Sequence, residues 1–227
     1  QMMLCIASLD NSTFVKGFLV FVPTVALTCL PAFAQTTSLN TVSESTLGVS
    51  AFTYKYDEPG YMNLKANRVA LNYSATYAPG TKWPNAANPW FYKAELAYSN
   101  GKADYTSPIS GNLKDTPNMF YEVRLLTGKD IDMGSYVLSP YIGLGYRHLF
   151  SDLGYERTSN YTTMPIGFTH KVKLADNSQL HTTLEYTHLL SGVQKVQLIQ
   201  NISMDQKSGY GLRFSMLRRF DNWSMGP

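Results

Sequence analysis

Charge is scarce in this sequence. Only 15% of its 227 residues are Asp, Glu, Lys or Arg, and the formal net charge is +3. Soluble domains usually carry about 25% charged residues. So small a positive balance, with no nucleic-acid-binding motif, gives no ground for a nucleic-acid partner. Cysteine is scarcer: Cys5 and Cys29 are the only two. Both fall in a stretch read below as removed on export, which leaves the mature chain no disulfide scaffold and no cysteine-based zinc site. Phosphate loops are missing, because Gly128-Lys129-Asp130 lacks the Ser or Thr that must follow the lysine. Asp130 and Asp132 flank Ile131 in a Gly128–Gly134 turn, too few oxygen ligands for calcium. No cofactor and no metal site is expected.

Long apolar runs are also absent, with one exception. Lys16 is followed by the apolar stretch from Gly17 to Pro31 and then by Ala32-Phe33-Ala34-Gln35. A basic residue, a short apolar core and an Ala-x-Ala site are the parts of a secretory signal peptide. The run is short for a membrane-spanning helix, and Pro23 interrupts it. Residues 1–34 are therefore read as an N-terminal extension plus signal peptide cleaved after Ala34, and residues 35–227 as the exported domain. The stretch before Lys16 exceeds a usual n-region and suggests a start-site extension. A lipoprotein reading through Cys29 fits poorly, because Ala26-Leu27-Thr28 is a weak lipobox. Both cysteines fall in the leader, so the exported chain would have none.

What the sequence does have is tyrosine, 16 residues of it, and alternation. Apolar residues recur every second position over about ten residues, between Gly, Pro, Asn and Asp. Val69, Leu71, Tyr73, Ala75 and Tyr77 alternate with Arg68, Ala70, Asn72, Ser74 and Thr76. Ile142, Leu144 and Tyr146 alternate with Gly143, Gly145 and Arg147, and Leu212, Phe214 and Met216 with Arg213 and Ser215. Eight strands are predicted, at about 47–56, 66–78, 89–99, 117–128, 137–149, 160–175, 179–191 and 207–220. The first is the least clean, since Phe52, Tyr54 and Tyr56 lie opposite Leu47, Val49 and Ala51.

A β-sandwich would also alternate. These strands are long for a sandwich, aromatics such as Tyr77, Trp90, Tyr98 and Tyr146 gather near their ends, and the connections alternate in length. The fold class predicted is all-β, an antiparallel up-and-down transmembrane β-barrel. Long outer loops are expected at 57–65 and at about 100–116, 150–159 and 192–206, with short inner turns at 129–136 and 175–178. Residues 79–88 are long for an inner turn. Phe220-Asp-Asn-Trp223 reads as a turn opening another strand, and the chain stops at Met225-Gly226-Pro227 rather than on a strand ending in an aromatic. Eight strands are visible. Ten, in a longer chain, stays open beside a complete eight-stranded barrel with a short tail.

The segment Ser139-Pro-Tyr-Ile-Gly-Leu-Gly-Tyr-Arg147 resembles the Pro-Tyr-x-Gly-x-Gly-Tyr-Arg strand of the bacterial outer-membrane β-barrel superfamily of small porin-like, opacity-like and OmpA-like proteins. Gly154 to Tyr161, followed by Met164-Pro-Ile-Gly167, is similar to a loop and strand in uncharacterised members. The likeness runs over most of residues 45–220. It implies a Gram-negative cell envelope, outer-membrane lipids and lipopolysaccharide as surroundings, barrel-assembly machinery during insertion, and a monomer. It implies no activity.

The polar faces supply the candidate site. A lumen charge network is predicted from Lys93, Glu95, Glu122, Arg124, Arg147, Lys171, Glu185 and Arg213, with Arg68, Lys173 and Arg219 on the same faces. An eight-stranded barrel is narrow enough for its side chains to fill it, and charges withdrawn from water must pair. The expected function is a structural or surface-binding, adhesin-like barrel with a filled lumen and no catalysis. One rival is a small porin selecting anions. Another is an outer-membrane lipid hydrolase that uses His148 with Ser151 and Asp152. His181 and Glu185, four residues apart on a strand, stand roughly 13 Å apart and cannot share a metal.

Overall fold

The computed structural model describes residues 2–8, 17–20, 26–29, 38–82, 89–197 and 201–227, with side chains from residue 38 onward. Between Glu44 and Gly226 the alternating sequence forms eleven strands rather than eight to ten. They are β1 (Glu44–Glu58), β2 (Met62–Tyr77), β3 (Trp90–Ser107), β4 (Gly111–Lys129), β5 (Ile131–Asp132), β6 (Tyr136–Asp152), β7 (Glu156–Lys173), β8 (Gln179–Gln197), β9 (Asn201–Gln206), β10 (Ser208–Arg219) and β11 (Trp223–Gly226). The three beyond eight are short. β5 pairs back on β6 inside an inner turn, β9 folds along the outer end of β8, and β11 turns back on β10. A single 3-10 turn, Pro79–Lys82, occupies part of the long inner connection. Among the described residues no helix is long and apolar enough to cross a membrane, which says nothing of strands.

The long strands are antiparallel and neighbour one another in chain order, β1-β2-β3-β4-β6-β7-β8-β10. This up-and-down order needs only hairpin connections, the shortest route between antiparallel neighbours. β1 and β10 do not pair directly. Three short N-terminal strands fill the seam between them. Met2–Ser8 runs along β10 and against Gly17–Val20, which reaches β1 at Leu19↔Tyr56. Ala26–Cys29 joins β11 to β1. The stretch read as a leader is thus the one that lies in the seam. The cleavage position after Ala34 lies outside the described residues.

The long strands are longer than the alternation indicated, 15 to 19 residues for β1 to β8 apart from the short β5. Most of what read as outer loops is strand. Residues 100–107 and 111–116 extend the β3–β4 hairpin, and the turns at its tip and after β6 occupy only 108–110 and 153–155. The cause is a reversal of polarity along the strands. In the lower half Leu47 and Val49, Val69 and Leu71, Leu125, Leu144, Ile166 and Phe214 point outward and are exposed, Leu125 to 61% and Leu144 to 58%. Their neighbours in sequence point inward. Above Phe52 and Arg68 the pattern inverts: Lys55, Lys65, Lys102 and Asp104 face out, while Tyr54, Met62, Leu64, Ala103 and Tyr105 are buried inside. A scan for one apolar face loses such a strand halfway, although the backbone continues.

β1 shows the switch on one strand. Leu47 and Val49 face out, whereas Phe52 and Tyr54, on the opposite parity, face in. A register bulge at Thr162/Thr163 opposite Leu190 bends the β7–β8 pair midway. At the inner end the turn after β7 is closed by Asn177 at φ 66, a conformation asparagine tolerates. Asp176 there accepts from the Ser178 hydroxyl at 2.6 Å and pairs with Arg218. These contacts, the Ser178 hydroxyl first, hold its carboxyl below the ordinary aspartate range.

Candidate functional site

Alternation sends every second side chain of each strand into the lumen, and all eight residues predicted for the charge network point there. Seven of them meet at mid-height. Arg124 on β4 pairs with Glu185 on β8, three strands away, and lies 3.3 Å from Glu95 on β3. Lys93 holds Glu95 at 2.7 Å. Arg213 on β10 stands 3.7 Å from both Glu185 and Glu122, and Arg147 donates to Glu122 at 2.7 Å. Glu185, 1% exposed, also accepts from Tyr141 at 2.7 Å and Thr187 at 3.1 Å. Four cations and three carboxylates therefore interlock across the lumen. A carboxylate buried this deeply is tolerable because charge-assisted donors surround it.

Lys171 does not join them. It sits lower, 3.1 Å from Asp130, a buried residue that also accepts from Ser139 at 2.5 Å. The same pair anchors the segment that leads into β1. Thr41 donates from its backbone N–H and, at 2.9 Å, from its hydroxyl to Asp130, and Lys171 donates to Thr41 Oγ1 at 2.6 Å. Ser38 O accepts from Gln179 on β8, and Ser43 Oγ accepts from Ala78 N beyond β2. Residues 38–43 thus pass across the inner mouth as a strap. Arg219 on β10 pairs with Glu44 on β1, which ties the two sides of the seam by side chains.

The outer half of the lumen is closed by apolar groups. Phe52, Tyr54, Leu64, Tyr105, Phe120 and Leu153 belong to one buried cluster, with the Phe52 and Phe120 rings edge-on at 5.8 Å. Beside it Arg68 donates to Ser99 at 2.9 Å and to Asn118, and Asn118 donates to Ser151 at 2.8 Å. Arg157 on β7 reaches Glu58 on β1 at 3.4 Å, donates to Tyr56 and Gln194, and lies 4.6 Å from the Tyr56 ring. Below these seals lies a cavity of about 350 Å³, lined by the ion cluster, hydroxyls and apolar groups together.

Small residues make this packing possible. A Cβ added at Gly167 would come within 2.8 Å of Tyr141 Oη and 2.7 Å of the Leu184 carbonyl. Gly167→Val is therefore expected to push Tyr141 off Glu185 and to lower stability by about 1–3 kcal/mol, read as a fall in the urea midpoint of the refolded protein.

The set considered for hydrolysis is not assembled. His148 faces outward, stacks on Tyr121 at 5.1 Å and meets Asn160 Oδ1 at 2.7 Å. Ser151 is buried on the opposite face of β6, and Asp152 Oδ1 accepts from Gly154 N. Asp132 likewise caps its own turn through Gly134 N. His181 meets Gln179 Oε1 at 2.9 Å. Among the described residues no three His, Cys, Asp or Glu side chains form a metal-ligating group. Reading by sequence missed Asp130, Tyr141, Arg157, Glu58 and Asn118. Only the inward parity of Asn118, Tyr141 and Arg157 marked them, since their partners lie 33 to 101 residues away.

No protein-family model and no curated protein matches the chain. Among solved structures, the beta domain of the Bordetella autotransporter Brka aligns over 96% of this chain and 97% of its own, with a TM-score of 0.47 and 9% identity.

Proposed function

We propose that the chain is an outer-membrane β-barrel with a closed lumen and a structural or surface-binding, adhesin-like role, of the small porin-like, opacity-like or OmpA-like kind. One observation carries this reading. Around the lower half of the sheet the exposed face is apolar and the enclosed face carries the ion pairs, the reverse of a water-soluble sheet. On β2 the apolar outer face runs from Val69 to Tyr77. At about 3.3 Å per residue and a tilt near 40°, that is roughly 20–25 Å, the height of a lipid band. Aromatics edge it. Tyr77, Trp90 and Tyr92 lie at the inner border, and Tyr98, Tyr121 and His148 follow one another in register at the outer border. Export by a leader ending at Ala34, after whose removal β1 and β10 would close directly on each other across the seam that its strands occupy here, belongs to the same proposal, as do assembly as a monomer among lipopolysaccharide and phospholipid and insertion by barrel-assembly machinery.

The test begins with fractionation of cells that express the full chain. The expected result is an outer-membrane band that migrates differently with and without boiling, with Gln35 as its first residue. Reconstituted in planar bilayers, the protein is expected to give no steps of conductance, because the apolar cluster and the ion pairs occupy the lumen. A soluble periplasmic band with no heat shift would overturn the barrel reading. Regular conductance steps would replace the closed lumen by the porin alternative.

A further inference from the structure

The interior is not filled evenly, and the unfilled part has the character of a site. We propose that the lower lumen is a binding cavity, reached from the periplasmic end alone, for a small uncharged solute rich in hydroxyl groups, such as a disaccharide. This inference rests on the barrel reading above and deepens it.

The cavity holds about 350 Å³, at the lower end of the range for small-ligand sites and enough for one or two sugar rings. Charge chemistry sets the ligand class. Every charged side chain that lines it is already matched: Lys93 with Glu95, Arg124 with Glu95 and Glu185, Arg213 with Glu122 and Glu185, Lys171 with Asp130, and Arg219 with Glu44. An ion entering would shed its hydration and would have to break one of these pairs to gain a partner. Hydroxyls stud the remaining wall, with Thr46, Ser50, Ser74, Thr76, Thr183 and Ser215 turned inward from four strands. Hydroxyls both donate and accept, so they suit a partner that does the same. The rings of Phe91 and Tyr141 supply apolar faces.

Access is one-sided. Outward, the Phe52–Phe120 cluster and the Arg157–Glu58 pair stand between the cavity and the surface. Inward, the strap is what crosses the mouth among the described residues, and its Ser38, Asn40, Thr41 and Val42 themselves line the cavity. The strap is held mainly at Asp130 and Lys171, so its release opens the cavity to the periplasm and not to the exterior.

The experiment places a thiol in the cavity, as Thr183→Cys and separately Ser215→Cys, in the exported chain from Gln35 on, which has no other cysteine. Proteoliposomes of known orientation are treated with an uncharged, membrane-impermeant methanethiosulfonate that bears a sugar group. Labelling is expected from the inner face and not the outer. About 5 mM sucrose should slow it at least about threefold, by occupancy, while sulfate and putrescine should not. Sucrose at that level, too dilute for general exclusion effects, should also raise the temperature at which the wild-type gel band shifts. Equal labelling from both faces, protection by sulfate or putrescine, or no effect of sucrose on labelling and on the wild-type shift would each overturn the proposal. Loss of the wild-type heat shift altogether would instead defeat the barrel reading beneath it.

Discussion

Replacing Glu185 by leucine is expected to destabilise the refolded protein by about 3–5 kcal/mol. Glu185 is the meeting point of the mid-lumen cluster. Arg124, Arg213, Tyr141 and Thr187 all converge on its two oxygens from four strands. Without it Arg124 loses the carboxylate nearest to it and falls back on Glu95, and Arg213 loses one of the two carboxylates it stands 3.7 Å from. Both guanidiniums are buried, so the loss is the cost of charge left without its partner rather than the worth of one contact. Glu185→Gln keeps the shape and removes the charge, and should fall between the leucine variant and the wild type. Urea unfolding in detergent micelles, followed by tryptophan fluorescence, measures the series. A Glu185→Leu midpoint equal to the wild type would mean that the cluster is hydrated and contributes little.

The second large effect lies on the other face. Leu144→Arg and Ile166→Arg should each cost about 2–4 kcal/mol, the penalty for a cation near the middle of the lipid band. Leu144 is 58% exposed and Ile166 43%, both pointing away from the lumen at mid-height. Thr183→Arg, on a neighbouring strand but directed into the cavity, should cost much less. The same unfolding assay compares them. Equal penalties at Ile166 and Thr183 would mean that the assignment of inside and outside is wrong.

On the proposed membrane reading, the lower half of each strand is legible because lipid imposes one rule there: every second residue apolar, the others free to be polar. Val69 to Tyr77 and Ile142 to Tyr146 follow that rule and were found. The upper halves were not, and the reason is physical. Outside the lipid the sheet obeys the opposite rule, so Lys65 and Lys102 in sequence look like loop residues when they are the wet face of a strand. β1 looked unclean because it carries both rules, Val49 under one and Tyr54 under the other. Parity also showed which charged residues could face one another, but not which do. That Arg124 finds Glu185, and Lys171 finds Asp130 instead, depends on the stagger between strands well apart in the sheet. Asp130 read as an ordinary turn residue, since nothing nearby in sequence reveals the Thr41 segment 89 residues away that it grips.

The reversal of polarity also governs how deep the molecule sits. A uniform apolar cylinder could ride up or down in a bilayer at little cost. Here a slip inward by one side-chain pair would carry Asn67 and then Lys65 of β2 into hydrocarbon, with Lys102 of β3 close behind. A slip outward would lift Trp90 and Tyr77 from the inner border and draw Lys129 and Arg218 after them. Each direction meets charge within one or two residues, while the rings at both borders favour the headgroup level. On the proposed membrane reading the protein carries its own draught line, and the height at which its outer hairpins stand above the membrane is set by the sequence rather than by the thickness of the bilayer around it.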